Sequence, residues 1–213
     1  MTGGIKNKFF PNEHQKMIKR WKEMKGDENL ILNHPELSKK SVVFDLGGYK
    51  GQWTSDIYSK YNCIVYVFEP VKKFYEYMKN RFKENKKIKV FNFALASSNR
   101  IESISLNGSA SSIYGKNKKE RINLIDFEDF LKKEKIREID LMEINIEGAE
   151  YELLDYIINR ESIKRIKNLQ VQFHRNIKNY EEKYREIKEK LGKTHKLNWY
   201  FPFVWESWKK KNA

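Results

Sequence analysis

At 213 residues the chain is long enough to bury a core without disulfide or metal staples, and a single main domain is expected. Its lone cysteine excludes an internal disulfide. No apolar run reaches the length of a membrane-spanning helix, and Met1 to Phe10 lack the apolar core of a signal peptide, so a cytoplasmic protein is expected. A formal charge of +14, from 43 Lys and Arg against 29 Asp and Glu, raises nucleic acid as a partner to test. The excess is spread, however. Its densest stretch, residues 160–196, carries twelve basic and five acidic residues. There lysines alternate with glutamates, as in Glu186-Ile187-Lys188-Glu189-Lys190, the pattern of a solvated helix face.

Residues 11–25 predict an amphipathic helix: Pro11 suits a first turn, and Met17, Ile18, Trp21 and Met24 recur on one face. A connection containing Pro35 follows, so 1–40 reads as an N-terminal helical extension and 41–213 as the main domain. Strands and helices then alternate. Ser41 to Asp45 is an apolar run leading into Asp45-Leu46-Gly47-Gly48, a strand entering a glycine turn. Residues 52–61 predict a helix, 63–68 a buried strand that holds an inert Cys63 and closes at Glu69-Pro70, and 71–83 a second helix. A third strand covers 88–93, and 101–106 alternates as an exposed strand would. Residues 107–119 are polar and rich in Gly and Ser, a surface loop. A short helix over 126–134, a fourth strand over 139–146 with its helix over 149–158, a fifth strand over 169–174 and a charged helix over 180–191 continue the alternation. The tail from 195 to 208, rich in Trp, Tyr and Phe, predicts two antiparallel strands. This order implies right-handed βαβ units in a mostly parallel sheet with an antiparallel edge hairpin. A ligand is expected over the carboxyl ends of the strands.

Three segments carry the chemistry. In Asp45-Leu46-Gly47-Gly48-Tyr49-Lys50-Gly51 the glycines permit close backbone approach at a strand-to-helix turn, and the next helix offers free N–H groups. The spacing is Asp-x-Gly-x-x-x-Gly, which differs from the dinucleotide pattern. An acid two residues before the glycine is where an S-adenosylmethionine (SAM) site places a carboxylate near the ligand's amino group. Glu69 ends an apolar strand 24 residues later, where an acidic side chain can accept both hydroxyls of a ribose. In the third segment, Ile139 to Glu150, polar side chains close a buried strand, which is costly without a role. Strand alternation puts Glu143 and Asn145 on one side, with Glu147 already turning over the expected methyl position. Glu147 and Glu150 also read as first-turn carboxylates of the next helix.

In this order and spacing the three segments resemble the FkbM family of SAM-dependent O-methyltransferases over about residues 41–208. The strings Ile146-Glu147-Gly148-Ala149-Glu150 and Phe203-Val204-Trp205-Glu206-Ser207-Trp208 are the most distinctive. The chain departs from the family at Glu143, often lysine there, and at Asn145, often aspartate. The resemblance implies an α/β fold of the Rossmann-like class I methyltransferase type: a mostly parallel seven-stranded sheet with an antiparallel C-terminal edge hairpin and helices on both faces. It implies SAM as cofactor, held by Asp45, Gly47, Gly48, Gly51, Glu69, Ala94 and Asn145. It also implies a glycan or sugar acceptor. The short form resembles the methyltransferase domain of a larger algal-virus glycan-synthesis protein acting on rhamnose, so membership of a multidomain glycosylation protein in a host cytoplasm is a further expectation.

A sugar hydroxyl is a poor nucleophile near neutral pH, so a positioned base would help. His174, closing Gln170-Val171-Gln172-Phe173-His174, has a suitable intrinsic pKa and lies at the right sheet edge. Glu147 and Glu143 compete for the role. Ser111, Ser112 and Tyr114 on the polar loop, and Trp205 in the aromatic tail, are candidate acceptor contacts. No metal constellation is apparent, and metal-independent transfer is expected. Two other readings stay open: a nucleic-acid methyltransferase, motivated by the charge, and a non-catalytic Rossmann-like adaptor.

Overall fold

Apolar runs of four to six residues, bounded by turns and long enough only for strands, form the centre of the molecule. The structure, a computed structural model, describes residues 10–105 and 119–211. In chain order the elements are α1 (Phe10–Glu23), β1 (Val42–Leu46), α2 (Gln52–Tyr61), β2 (Ile64–Phe68), α3 (Lys72–Arg81), β3 (Ile88–Phe91), β4 (Ala94–Ala96), β5 (Arg100–Ser105), β6 (Lys119–Asp126), α4 (Phe127–Lys133), β7 (Ile139–Ile144), α5 (Glu150–Asn159), β8 (Ile166–Val171), α6 (Tyr180–Thr194), β9 (His195–Phe201) and β10 (Trp205–Lys210). Seven strands form one sheet in the order β3-β2-β1-β7-β8-β10-β9. Its first five strands pair in parallel, and β10 runs antiparallel to both β8 and β9, as the alternation and the aromatic tail predict.

Strand alternation divides the core between the two faces of this sheet. Phe44, Leu46, Tyr66, Phe68, Met142, Ile144, Leu169 and Val171 bury one face against Phe127 and Phe130 of α4, Leu154 and Ile157 of α5, and Ile187 and Leu191 of α6. Val43, Val65, Val67 and Leu141 bury the other against Ile57 of α2, Met78 of α3 and Phe82 just beyond it. Helices cover both faces, which is what strands apolar on both sides require. The strand order reverses between β1 and β7, and a crevice opens at such a switch point.

Two parts of the fold differ from expectation. β4, β6 and β5 form a second, three-stranded sheet, in which only the single strand at 101–106 was anticipated. Ile122 and Leu124 of β6 are buried toward Val71 and Phe74, and the charged run Lys119-Glu120-Arg121 before them masks the alternation. The fifth strand spans 166–171, so its end lies three residues before His174. Trp21 of α1 packs with Ile31, Phe201 and Val204, which ties the N-terminal segment to the β9–β10 edge.

Candidate functional site

The ends of three strands meet at the switch point. Gly47 has φ +94°, and a Cβ there would lie 2.2 Å from the Asn145 carbonyl oxygen, so only glycine lets the β1 turn cross the exit of β7. The Gly47 N–H donates to Phe68 O at the end of β2 (2.9 Å), and Asn145 N–H donates to Leu46 O (3.0 Å). Glu69 then joins the β1 turn to the start of α3. Its Oε2 accepts from Tyr49 N (2.9 Å) and its Oε1 from Val71 N (2.8 Å). Burial pushes the Glu69 carboxyl up to about 7, against the pull of those two N–H groups. Asn92, just after β3, donates to Glu69 O (3.2 Å) and Pro70 O (3.0 Å), a link that the sequence reading missed.

These elements enclose a cavity between the sheet end and the small sheet. Gly47, Glu69, Ala94, Asn145 and Glu147 line it together with apolar walls from Phe68, Phe74, Ile122, Leu124 and Leu153. Five sequence-predicted positions are thus brought together. As closed, the cavity holds about 100 Å³, against roughly 300–1,000 Å³ for typical ligand pockets. Arg100 also lines it, and its guanidinium donates to both oxygens of Glu152 (2.9 and 3.1 Å).

Other predicted positions lie elsewhere. Gly48 and Gly51 do not border the cavity. A Cβ on Gly48 would meet Val67 Cγ1 at 2.3 Å, and one on Gly51 would meet Phe82 Cε2 at 2.6 Å. Both glycines let the start of α2 pack on β2 and α3. Asp45 and Glu143 are register partners on the face covered by α2, and both are buried away from the cavity. The Thr54 hydroxyl donates to Asp45. This placement removes Glu143 as a candidate base, because an acceptor cannot reach it. Trp205 packs in the α1 cluster with Trp21 and Phe201, so it does not line the cavity either. Ser111, Ser112 and Tyr114 lie outside the described residues.

The Asp45–Glu143 pair holds a proton. Burial pushes Asp45 up to about 6, opposed by its bonds to Thr54 and Glu143. Burial, and then the charge of Asp45, push Glu143 well above the usual carboxyl range. Both groups ionise near pH 4 in the unfolded chain. Stability therefore falls as pH rises from about 4 through the folded values. Glu143→Gln keeps a donor for Asp45 and removes one ionisation. It is expected to raise Tm at pH 8 by about 2–8 °C, with a smaller gain at pH 5, by thermal unfolding at the two pH values. A lower Tm at pH 8 would refute the shared proton.

At the exit of β7 two residues with positive φ, Glu147 (+55°) and Gly148 (+108°), turn the chain into α5. Fully buried Glu150 organises that turn. Its Oε2 accepts from Gly148 N (2.8 Å), its Oε1 accepts from His174 N (2.7 Å), and Oε1 also faces His174 Nδ1 at 3.2 Å. The Tyr151 hydroxyl donates to His174 O (2.8 Å). His174 Nε2 lies 3.5 Å from Glu147 Oε2. Burial works against a charge on His174, but its bonds to Glu147 and Glu150 outweigh it and hold the ring up at about 9. At neutral pH His174 is an imidazolium clamped between two carboxylates, which argues against the free base expected from sequence. Glu150, read from sequence only as helix-start charge, is the group that fixes it.

Residues 45–198 match the methyltransferase FkbM domain. The chain belongs to this family. No curated protein matches it in sequence. Among solved structures, the FkbM chain is similar to a putative rRNA methylase from Clostridium thermocellum (10% identity, TM-score 0.53, covering 99% of both chains). It is also similar to an rRNA methylase from Streptococcus thermophilus (13%, 0.51, covering 91% of this chain and 98% of that one). A third likeness is to the METTL16 MTase domain (13%, 0.52, 92% and 68%). At these identities the likeness establishes the Rossmann-like class I methyltransferase fold. An FkbM methyltransferase uses SAM as its methyl donor.

Proposed function

We propose that this FkbM methyltransferase transfers the methyl group of SAM to a carbohydrate hydroxyl, with a deoxyhexose such as rhamnose the first acceptor to test. The proposal takes Glu147 as the proton acceptor. The observation that carries it is the double position of Glu147: its residue borders the cavity, and its carboxylate contacts the clamped His174. The cavity residues fit SAM. Gly47 leaves a cradle that a Cβ would fill, and each Glu69 oxygen keeps a lone pair beyond its one backbone N–H. Glu69 would accept the ribose hydroxyls, Ala94 and the apolar wall would receive the adenine, and Asn145 would border the methionine end. When bound, SAM supplies an electrophilic methyl group on a positively charged sulfur. Glu147 takes the proton of the acceptor hydroxyl as that oxygen attacks, and His174 holds Glu147 in place without itself giving up a proton. Metal-independent transfer, soluble action on a glycan and a place in a larger glycosylation protein belong to the same proposal.

The test is incubation of labelled SAM with free sugars and oligosaccharides, read by mass. Gain of one methyl on a sugar supports the reading, and transfer to none of them overturns it. Glu69→Ala is expected to weaken SAM binding about tenfold or more by calorimetry at pH 8, above the Glu69 value, because the ribose loses a charged acceptor. Unchanged affinity would remove Glu69 from the donor site. The net charge of +14 favours a second reading, RNA methylation. It requires RNA affinity that falls steeply with salt, and filter binding at two salt concentrations separates the two.

A further inference from the structure

A second cleft, of about 930 Å³, lies between α1, the start of α6 and the β9–β10 turn. It belongs to the same end of the sheet as the donor cavity. β10 is antiparallel, with Glu206 opposite Val171 and Trp205 opposite Phe201, so the turn between β9 and β10 stands beyond the carboxyl end of β8. Arg175 lines the cleft and directly follows His174. Consecutive Cα atoms are only about 3.8 Å apart, so the cleft begins one residue from the Glu147–His174 contact.

Three arginines from three separate segments converge on this cleft: Arg20, Arg175 and Arg185. All are exposed. Among the described residues their guanidiniums have no ion pair or hydrogen bond, and Arg20 only overlies the Phe201 ring at 5.6 Å. Arg81 and Arg100, by contrast, are satisfied by protein acceptors. Two acids also line the cleft: Glu13, paired with Lys16, and Glu181, which accepts from the Tyr180 hydroxyl, so three arginines face two carboxyls of which one is already paired. His14 reports the resulting field, held down by burial first and by the charge of Arg175 second. Pro202 and Phe203 add an apolar surface. Unpaired guanidinium forks beside an apolar surface suit an oxyanion attached to a sugar ring.

We propose that this cleft is the acceptor subsite and that it takes an anionic carbohydrate, a sugar carrying phosphate or carboxylate. The inference rests on the sugar reading above. An anion held by the arginines places a hydroxyl of the attached sugar at Glu147. Two sources share the chemistry, a sugar phosphate and a uronic acid.

The test titrates the full chain by calorimetry with inorganic pyrophosphate, glucuronate and neutral glucose. Arg20→Gln, Arg175→Gln and Arg185→Gln are compared singly and together, with Arg137→Gln as a remote control. At least one anion is expected to bind more tightly than glucose, with about tenfold loss per arginine removed and none in the control. Tighter pyrophosphate assigns a phosphorylated sugar, and tighter glucuronate a uronic acid. Binding of neither anion up to about 10 mM, or binding indifferent to the three arginines, overturns the subsite. So does an RNA oligonucleotide that binds far more tightly than either anion and is lost in the same variants. Methylation of neutral sugars undiminished in the triple variant also overturns the subsite and leaves the proposed function standing. Intact pyrophosphate binding with no sugar methylated overturns the proposed function and, with it, the acceptor role of the cleft.

Discussion

Glu147→Gln is expected to lower kcat for methyl transfer by about 10²–10⁴-fold while SAM affinity stays within about twofold. Glutamine keeps the size and a hydrogen-bonding oxygen of the side chain but cannot take the acceptor proton. The partition between kcat and SAM affinity separates a base from a donor contact, since loss of a donor contact would weaken SAM binding. The pH profile decides between Glu147 and His174. With His174 held at about 9, a role as base would make activity climb as pH rises through 9, where the neutral ring appears. If Glu147 is the base and His174 its charged holder, activity is level near pH 7–8 and falls through 9 as the ring loses its charge. The stability linkage has the same sign. The folded value lies above the unfolded value of about 6.5, so the contribution of His174 is complete below that pH and is lost as pH rises through 9. For a ring this buried the contribution is on the order of 3 kcal/mol. Rates from pH 6 to 10 in wild type and in His174→Gln decide between the two roles. A wild-type rate that rises through pH 9 and vanishes in His174→Gln would return the base role to His174.

Elements whose apolar pattern is local were legible in the sequence. The runs at 42–46, 64–68 and 139–144 could only be buried strands, and their alternation with helices fixed a parallel sheet with its crevice at the carboxyl ends. The small sheet was not legible, because β6 buries two apolar residues behind a run of charges and finds its partners 14 to 30 residues away. Among site residues, Gly47 and Glu69 follow from strand-end chemistry. Gly48 and Gly51 look equivalent to Gly47 in the motif, yet they serve packing against Val67 and Phe82, a distinction that depends on which way the turn faces. Glu143 and Glu147 both stand near the end of one strand. Alternation sends Glu143 under α2, and the positive φ of Glu147 swings it to the cavity. The charge state of His174 depends on two carboxylates more than 20 residues away in sequence, so its residue type alone suggested a free base.

Glu150 is the position where a single substitution should damage stability and chemistry together. It is fully buried, and its carboxylate answers Gly148 N, His174 N and the His174 ring at once. Glu150→Ala leaves two buried N–H groups without an acceptor and a buried imidazolium with one counter-charge instead of two. Removing one partner of such a set costs about 3–5 kcal/mol, or about 6–20 °C in Tm for a chain of this size. Glu150→Gln retains an acceptor oxygen but presents an amide N–H₂ to groups that are themselves donors, so its cost should be smaller, about 1–3 kcal/mol. The more telling readout is in the pH profile. With Glu150 neutralised, only Glu147 supports the charge on His174, so the alkaline fall in activity should move to lower pH. A purely structural Glu150 would lower stability without moving that limb. A double-mutant cycle of Glu150→Gln with His174→Gln should give a coupling energy above about 1 kcal/mol. Additive losses, with the alkaline limb in place, would mean that Glu150 braces the turn at 147–149 and has no hold on the histidine.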